Sequence, residues 1–224
     1  MSYWTRPAPE VQRRRALSSS RIAVEATALL DAEGLDALTL RRLASRLGVA
    51  QSSLYRHVRT AEEVLDLALD HALGVDPALE SAAAGGDLGA LLNSWYQHLT
   101  RHTWAPEVVV RRPLLGPRYL ALSDTLCARV LARGTPPDQV LEVTYALSNY
   151  VLGCAVASNA DQGQPPDTAA VRQEEHPALA TALRAAPSRD ASFHRGLEAL
   201  LRSVGGERAT DEAGRRQSRR PSVN

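Results

Sequence analysis

The chain has 224 residues, of which 44% are hydrophobic and 23% charged, with a formal net charge of +1. This is a globular composition, with room for one good core or two small ones. The two cysteines, Cys127 and Cys154, stand in apolar helical surroundings and read as reduced, buried thiols, which sets a disulfide-stapled scaffold aside. A near-zero charge argues against a nucleic-acid protein until its distribution is read. Residues 1–60 carry 10 arginines against 5 acids, residues 61–204 carry 11 against 17, and residues 205–224 carry 5 against 3. A basic head on an acidic body suits a protein whose N-terminal part meets DNA and whose remainder does not. All 26 basic residues are arginine, a bias of GC-rich coding that says nothing of mechanism. No secretory signal is read at the start. The most apolar run, Val143 to Ala157, is interrupted by Thr144, Ser148 and Asn149 and falls short of the ~20 residues a membrane span requires. The expectation is a cytoplasmic protein with no membrane partner.

In chain order, residues 1–17 hold Pro7, Pro9 and Arg13, Arg14 and Arg15 without periodicity, and are expected to form a disordered basic arm. Such an arm can lie along a DNA backbone or enter the minor groove. Residues 18–60 are expected to form a three-helix unit. The serines at 18–20 cap a helix with Ile22, Ala26, Leu29 and Leu30 on one face, and Gly34 stops it. Thr39 caps a second helix whose Leu43, Ala44 and Leu47 share a face, and Gly48 supplies the left-handed conformation that ends it. A third helix over 51–58 turns Leu54 and Val58 inward and leaves Gln51, Ser52, Ser53, Tyr55 and Arg56 outward. Two short helices around a tight turn make a helix-turn-helix. Outward Gln, Ser, Tyr and Arg on the second of them suit base edges and phosphates. Thr60-Ala-Glu-Glu63 then matches a capping box, so a fourth helix begins right after the reader.

Glu33-Gly34-Leu35, Leu38-Thr39-Leu40-Arg41-Arg42-Leu43-Ala44, Leu47-Gly48-Val49 and Leu54-Tyr55-Arg56-His57-Val58 together resemble the tetracycline-repressor (TetR) family of bacterial transcription regulators. The resemblance spans Ile22 to Leu73, and its order and spacing are more specific than any short helix-turn-helix pattern. It implies phosphate-clamping roles for Thr39, Arg41, Tyr55 and His57, and base-reading roles for Gln51, Ser52, Ser53 and Arg56. Where tetracycline-type members often place a lysine this chain has Ala61, and Arg59 stands in for it. Many members carry an aromatic residue at the position of Arg56, so no base preference is inherited from them.

Residues 61–204 read as an all-helical body. The fourth helix ends near Gly74. Residues 87–103 carry the stripe Leu88, Leu92, Trp95 and Leu99. Helices are then expected over 106–112, over 117–133 with Gly134 as stop, over 136–160, 178–185 and 189–204, with a Gly-, Pro- and Asp-rich loop at 162–167 and a disordered tail from 205 to 224. No strand pattern or internal repeat is found. The fold class expected is therefore all-α, a helix-turn-helix domain followed by a helical ligand-binding and dimerisation domain. The helix from Pro136 is apolar around most of its circumference, and Ala146, Tyr150, Gly153 and Ala157 form a seam through which another helix can approach. With Phe193, Leu197, Leu200 and Leu201 of the final helix it is expected to build a four-helix bundle across a two-fold axis, the dimer the resemblance implies.

Trp95, His98 and His102 share one side of their helix with Trp104 just beyond. They are expected to line a ligand cavity opposite Tyr145 and Asn149, and to hold an aromatic or polycyclic effector. His98 and His102 have the spacing of metal ligands. No third ligand stands near them in sequence, so neither a metal nor a cofactor is expected. Nucleophile-elbow, P-loop and dinucleotide motifs are absent, so no enzyme is expected. The reading is a homodimeric repressor released from a palindromic operator by a small molecule. An activator or ligand-free regulator of the same family, and a helical ligand-binding or enzyme module, are the alternatives.

Overall fold

A computed structural model describes residues 17–111, 115–160 and 171–204. The tail, the 162–167 loop and all of the arm except Leu17 lie outside the described residues. Leu17 is only 8% exposed and packs with the head.

Helix α1 (Ser19–Glu33) starts where the Ser18 side chain accepts from the Arg21 N–H at 3.2 Å, and ends at Gly34, whose φ of 77° suits a residue without Cβ. Helix α2 (Leu40–Leu47) starts on the Thr39 hydroxyl, which accepts from Arg42 N–H at 3.1 Å. Gly48 ends it in the left-handed region, φ 67° and ψ 32°. Helix α3 is shorter than expected, Gln51–Leu54. The chain leaves it in a tightened turn, with His57 N–H and Val58 N–H both bonded to the Leu54 carbonyl. Leu54 and Val58 are fully buried, and the cap of the next helix begins two residues later. Helix α4 (Ala61–Gly74) is capped by Thr60, which accepts from Glu63 N–H at 3.3 Å; the Glu63 carboxylate reaches back to Arg59 N–H at 2.9 Å. That is one residue upstream of the donor a capping box ordinarily satisfies. Helix α1 packs along α4, where Thr27 Oγ1 donates to the Ala68 carbonyl at 3.1 Å.

Helix α5 (Pro77–Gly85) was not foreseen. Its signal was present in Asp76-Pro77, an N-cap followed by a proline in the first turn, but the alanine and glycine run after it carries no periodicity. Helix α6 (Leu88–Arg101) runs through the body and buries Leu88, Leu91, Leu92, Trp95, Tyr96, His98 and Leu99. It is followed by α7 (Ala105–Arg111), α8 (Pro117–Ala132), α9 (Val140–Ala160) after a single 3-10 turn, α10 (Pro177–Arg184) and α11 (Arg189–Ser203). Helices α6 and α9 pack on each other, α8 lies against α4 and α9, and α11 covers α6 and α9. The fold is all-α, and the described residues contain no strand.

Helix α9 falls within the expected 136–160, but its apolar stretch extends beyond the Val143 to Ala157 run. Residues 137–160 are long and apolar enough, by length and composition, to cross a membrane. In the folded chain Val140, Thr144, Leu147, Val151, Leu152 and Ala155 face the core, while Leu141, Tyr145 and Val156 are exposed by 57%, 63% and 47%. Three residues expected in the dimer seam are engaged within the single chain. Phe193 and Leu197 are buried within the single chain. Phe193 stacks on Tyr96 with ring centroids 3.8 Å apart and on Tyr150 at 5.9 Å. Tyr150 likewise points at α11, donating to the Phe193 carbonyl at 3.0 Å. Both helices are apolar on more than one side, and sequence spacing alone does not say which side meets the protomer's own core.

Candidate nucleic-acid interface and ligand cluster

The head presents one polar surface. Gln51, Ser52, Tyr55 and Arg56 are exposed, and Ser53 and His57 are half-buried beside them. Their side chains order one another: Gln51 Nε2 lies 3.2 Å from the Tyr55 hydroxyl, and Arg56 Nη2 donates to Ser53 Oγ at 3.3 Å. The fully buried Leu54 and Val58 anchor this surface from beneath. Thr39 and Arg41 at the start of α2 and Arg59 before α4 are exposed at its edges. The remaining arginines of α2 serve the head itself. Arg42 pairs with Glu33, and Arg46 pairs with Glu25 at 2.5 Å. Arg21 Nη2 caps the end of α2 at the Leu47 carbonyl, 3.4 Å away. The arginines of the head thus separate into Arg21, Arg42 and Arg46, paired within the head, and Arg41, Arg56 and Arg59, exposed on its polar surface.

In the body, four of the six residues expected around a ligand come together. Ring centroids run 5.6 Å from Trp95 to His98, 4.7 Å from His98 to His102 and 5.9 Å from His102 to Trp104. Tyr145 and Asn149 do not join them, because they stand on the outer side of α9; the ring that meets Trp95 is Tyr119 of α8, edge-on at 6.4 Å. Sequence spacing also missed the two carboxylates that hold the cluster. The Asp76 Oδ2 atom lies 2.8 Å from His98 Nδ1 and 2.8 Å from Arg101 Nη1, while Oδ1 accepts from the N–H groups of Ala78 and Leu79. Asp31, from α1 of the head, places Oδ1 2.7 Å from His102 Nδ1 and 2.6 Å from Trp104 Nε1. Each histidine therefore commits Nδ1 to a different carboxylate. An open cavity of about 320 Å³ lies elsewhere, between α1, α4 and α8.

Burial lowers the His98 pKa to about 4; the Asp76 hydrogen bond opposes this, and nearby His102 and Arg101 reinforce it. At neutral pH the imidazole is uncharged, its Nδ1–H donates to Asp76, and its buried Nε2 has no hydrogen-bond partner among the described residues. Burial would raise Asp76, but the hydrogen bonds from His98 and Leu79 and the charges of His98 and Arg101 outweigh it and hold the carboxyl below its ordinary value. Both shifts destabilise the fold in acid. Between pH 6.5 and 4 the unfolded chain takes up a proton at His98 that the folded chain refuses, so stability falls as pH falls, by roughly 2–3 kcal/mol at pH 4.5. Urea unfolding at pH 7 and pH 4.5 checks this: His98→Gln should lose that much less than wild type, and equal losses would refute it. The Asp76 contribution is present above the ordinary carboxylate value and disappears further down, as pH falls through its lowered pKa.

Comparisons with known proteins agree with this geometry. Residues 22–66 match the model of bacterial regulatory proteins of the tetR family, and residues 85–205 match the tetracyclin repressor-like C-terminal domain. An HTH-type transcriptional regulator of Saccharopolyspora erythraea is 38% identical over 184 residues, covering 81% of this chain and 75% of that protein. The HTH-type transcriptional repressor DrrR1 of Streptomyces coeruleorubidus is 32% identical over 62% of this chain and 53% of its own length. Apo ActR of Streptomyces coelicolor superposes with a TM-score of 0.76 at 26% identity, over 87% of this chain and 99% of ActR. ActR in complex with actinorhodin gives 0.72 at 26% identity, over 86% and 99%. A reading head built on Leu54 and Val58 and a helical body of this shape, matched along nearly the whole described chain, have one source: the chain belongs to the tetR family of bacterial regulatory proteins and is a DNA-binding transcription regulator, not an enzyme.

Proposed function

We propose that this regulator is a homodimeric repressor that binds a palindromic operator and is released by an aromatic or polycyclic effector. The observation that carries the reading is the outward surface of α3 and the turn after it, four exposed polar side chains over two buried anchors. Arg56 and Gln51 read bases, and Thr39, Arg41, Tyr55, His57 and Arg59 hold phosphates. Against duplexes selected from a random pool by the wild-type protein, Arg56→Ala should cost about 1–3 kcal/mol and relax base preference at one or two positions per half-site. Tyr55→Phe should weaken all sequences alike. Unchanged base preference in Arg56→Ala would refute the assignment.

The dimer is supported by the outer side of α9, where Leu141, Tyr145, Ala146, Gly153, Val156 and Ala157 leave an apolar helix half uncovered. Leu200 and Leu201 of α11 are partly buried at the margin of the core. A Cβ added at Gly153 meets no atom within 4 Å among the described residues of the single chain. Gly153→Leu should therefore leave the protomer's fold intact while weakening association, because overpacking a tight seam costs about 1–3 kcal/mol per partner. Light scattering showing a wild-type monomer at micromolar concentration would end the dimer reading.

The repressor reading is supported by the similarity to DrrR1, which is named a repressor. The effector reading is supported by the aromatic cluster and by the unpartnered, buried Nε2 of His98, an acceptor suited to a hydroxyl or amide donor on a flat ring. ActR, which has the same fold, is found with actinorhodin. Release follows by linkage: an effector that prefers the conformer with wrongly spaced readers weakens operator binding by that preference, and operator weakens effector binding by the same factor. With chromosomal DNA as partner, the site of action is the cytoplasm.

A further inference from the structure

Helix α1 rests on the body like a beam with unequal supports. At its C-terminal end Asp31 Oδ1 takes hydrogen bonds from both His102 Nδ1 and Trp104 Nε1, at 2.7 and 2.6 Å. In its middle Thr27 Oγ1 holds the Ala68 carbonyl of α4. At its N-terminal end Ser19, Ser20 and Ala23 face His71, Gly74 and Arg118 across the open cavity of about 320 Å³. Thr27 lies about 6 Å along the helix from Asp31 and about 12 Å from Ser19, so freeing the Asp31 end lets the helix tilt on the seat formed by Thr27 and the buried Ile22, Ala26, Leu29 and Leu30, with space available at the cavity end. The reader travels with α1, because Arg21 holds the Leu47 carbonyl and Arg42 and Arg46 pair with Glu33 and Glu25.

The corner that grips Asp31 is itself tied to α9. Asn159 Nδ2 donates to the carbonyls of Leu99 and Thr103, at 3.1 and 3.4 Å. An unbroken set of polar contacts therefore runs from α9 through the 99–104 corner and Asp31 to α1 and the helix-turn-helix. We infer that Asp31 is a positioning residue that fixes the separation of the two reading heads, by pinning α1 to the corner that α9 holds. The inference rests on the two-reader dimer proposed above. None of the linking side chains, Asn159, His102, Trp104 and Asp31, is among the residues assigned to read bases. Its output is geometric: a shift of one base pair along DNA is about 3.4 Å, the scale on which a rocking head misses its groove.

The test uses the full chain and duplexes carrying the selected half-site once, or twice at the selected spacing and at spacings one base pair longer and shorter. Wild type should prefer its own spacing by about tenfold or more, equivalent to 1.4 kcal/mol. Asp31→Ala should reduce that preference to within about threefold, and Trp104→Phe, which removes one donor and keeps the ring, should reduce it in part. Asp31→Asn, whose carbonyl oxygen still accepts, should retain it. Binding to the single half-site should be the same for all four proteins, which a merely structural role for Asp31 would not predict. Should Asp31→Ala and Trp104→Phe both keep the wild-type spacing preference, or should Asp31→Ala lose single-site binding, the inference is overturned. If wild type itself shows no spacing preference, the two-reader reading fails and the inference fails with it.

Discussion

Asp76→Ala is expected to be the most destabilising single change in the described chain, costing about 3–5 kcal/mol in urea unfolding at pH 7. The side chain is 2% exposed and satisfies four donors at once: two backbone N–H groups that open α5, His98 Nδ1, and Arg101 Nη1. Removing it strips the N-cap from α5 and leaves His98 with neither ring nitrogen paired in the core, while half-exposed Arg101 turns to water. Asp76→Asn keeps the cap and an acceptor but removes the charge, and should cost less, about 1–3 kcal/mol. An alanine variant within about 1 kcal/mol of wild type would show that the carboxylate is not what orders the α4–α5–α6 junction.

Gly196→Ala should come next, at about 2–4 kcal/mol. An ideal Cβ at this position falls 1.9 Å from the Tyr150 hydroxyl and 2.7 Å from Tyr150 Cζ. Tyr150 has little freedom to retreat, since it is hydrogen-bonded to the Phe193 carbonyl and stacked on the Phe193 ring. Relief of the clash lifts α11 from α9 and opens the stack formed by Tyr96, Phe193 and Tyr150. Thermal unfolding of Gly196→Ala, Tyr150→Leu and the pair would reveal the coupling: the double variant should lose less than the two single losses combined. Strict additivity would mean that the close approach carries no strain.

The head was legible in the sequence because its signals are local. A cap at Thr39, a left-handed glycine at Gly48 and buried residues at 54 and 58 lie within twenty positions, and each constrains its neighbours directly. Helix α3 still came out four residues shorter than its pattern, since the pull of Val58 into the core and the cap at Thr60 compete for the same turn. In the body the local signals placed Trp95, His98, His102 and Trp104 on one side. They did not show that Asp76 and Asp31, 22 and 71 residues from the histidines they hold, would close the cluster. Periodicity likewise gave α9 and α11 apolar faces without saying which of them is spent inside the protomer. That choice depends on how close two helices approach, and here Gly196 and Tyr150 decide it.

The turn that follows α2 has a consequence for how such a regulator changes over time. On the reading proposed above, its recognition chemistry sits in barely one helical turn, on side chains that point to solvent, while the two residues that hold the turn in place, Leu54 and Val58, point the other way and are fully buried. Gln51, Ser52 and Arg56 are thus free to vary with little penalty to folding, because surface substitutions away from caps and buried networks usually stay within about 0.5 kcal/mol. The address read on DNA and the stability of the reader are encoded by different residues. A gene duplicate needs only a few exposed substitutions to acquire a new operator while inheriting an intact scaffold.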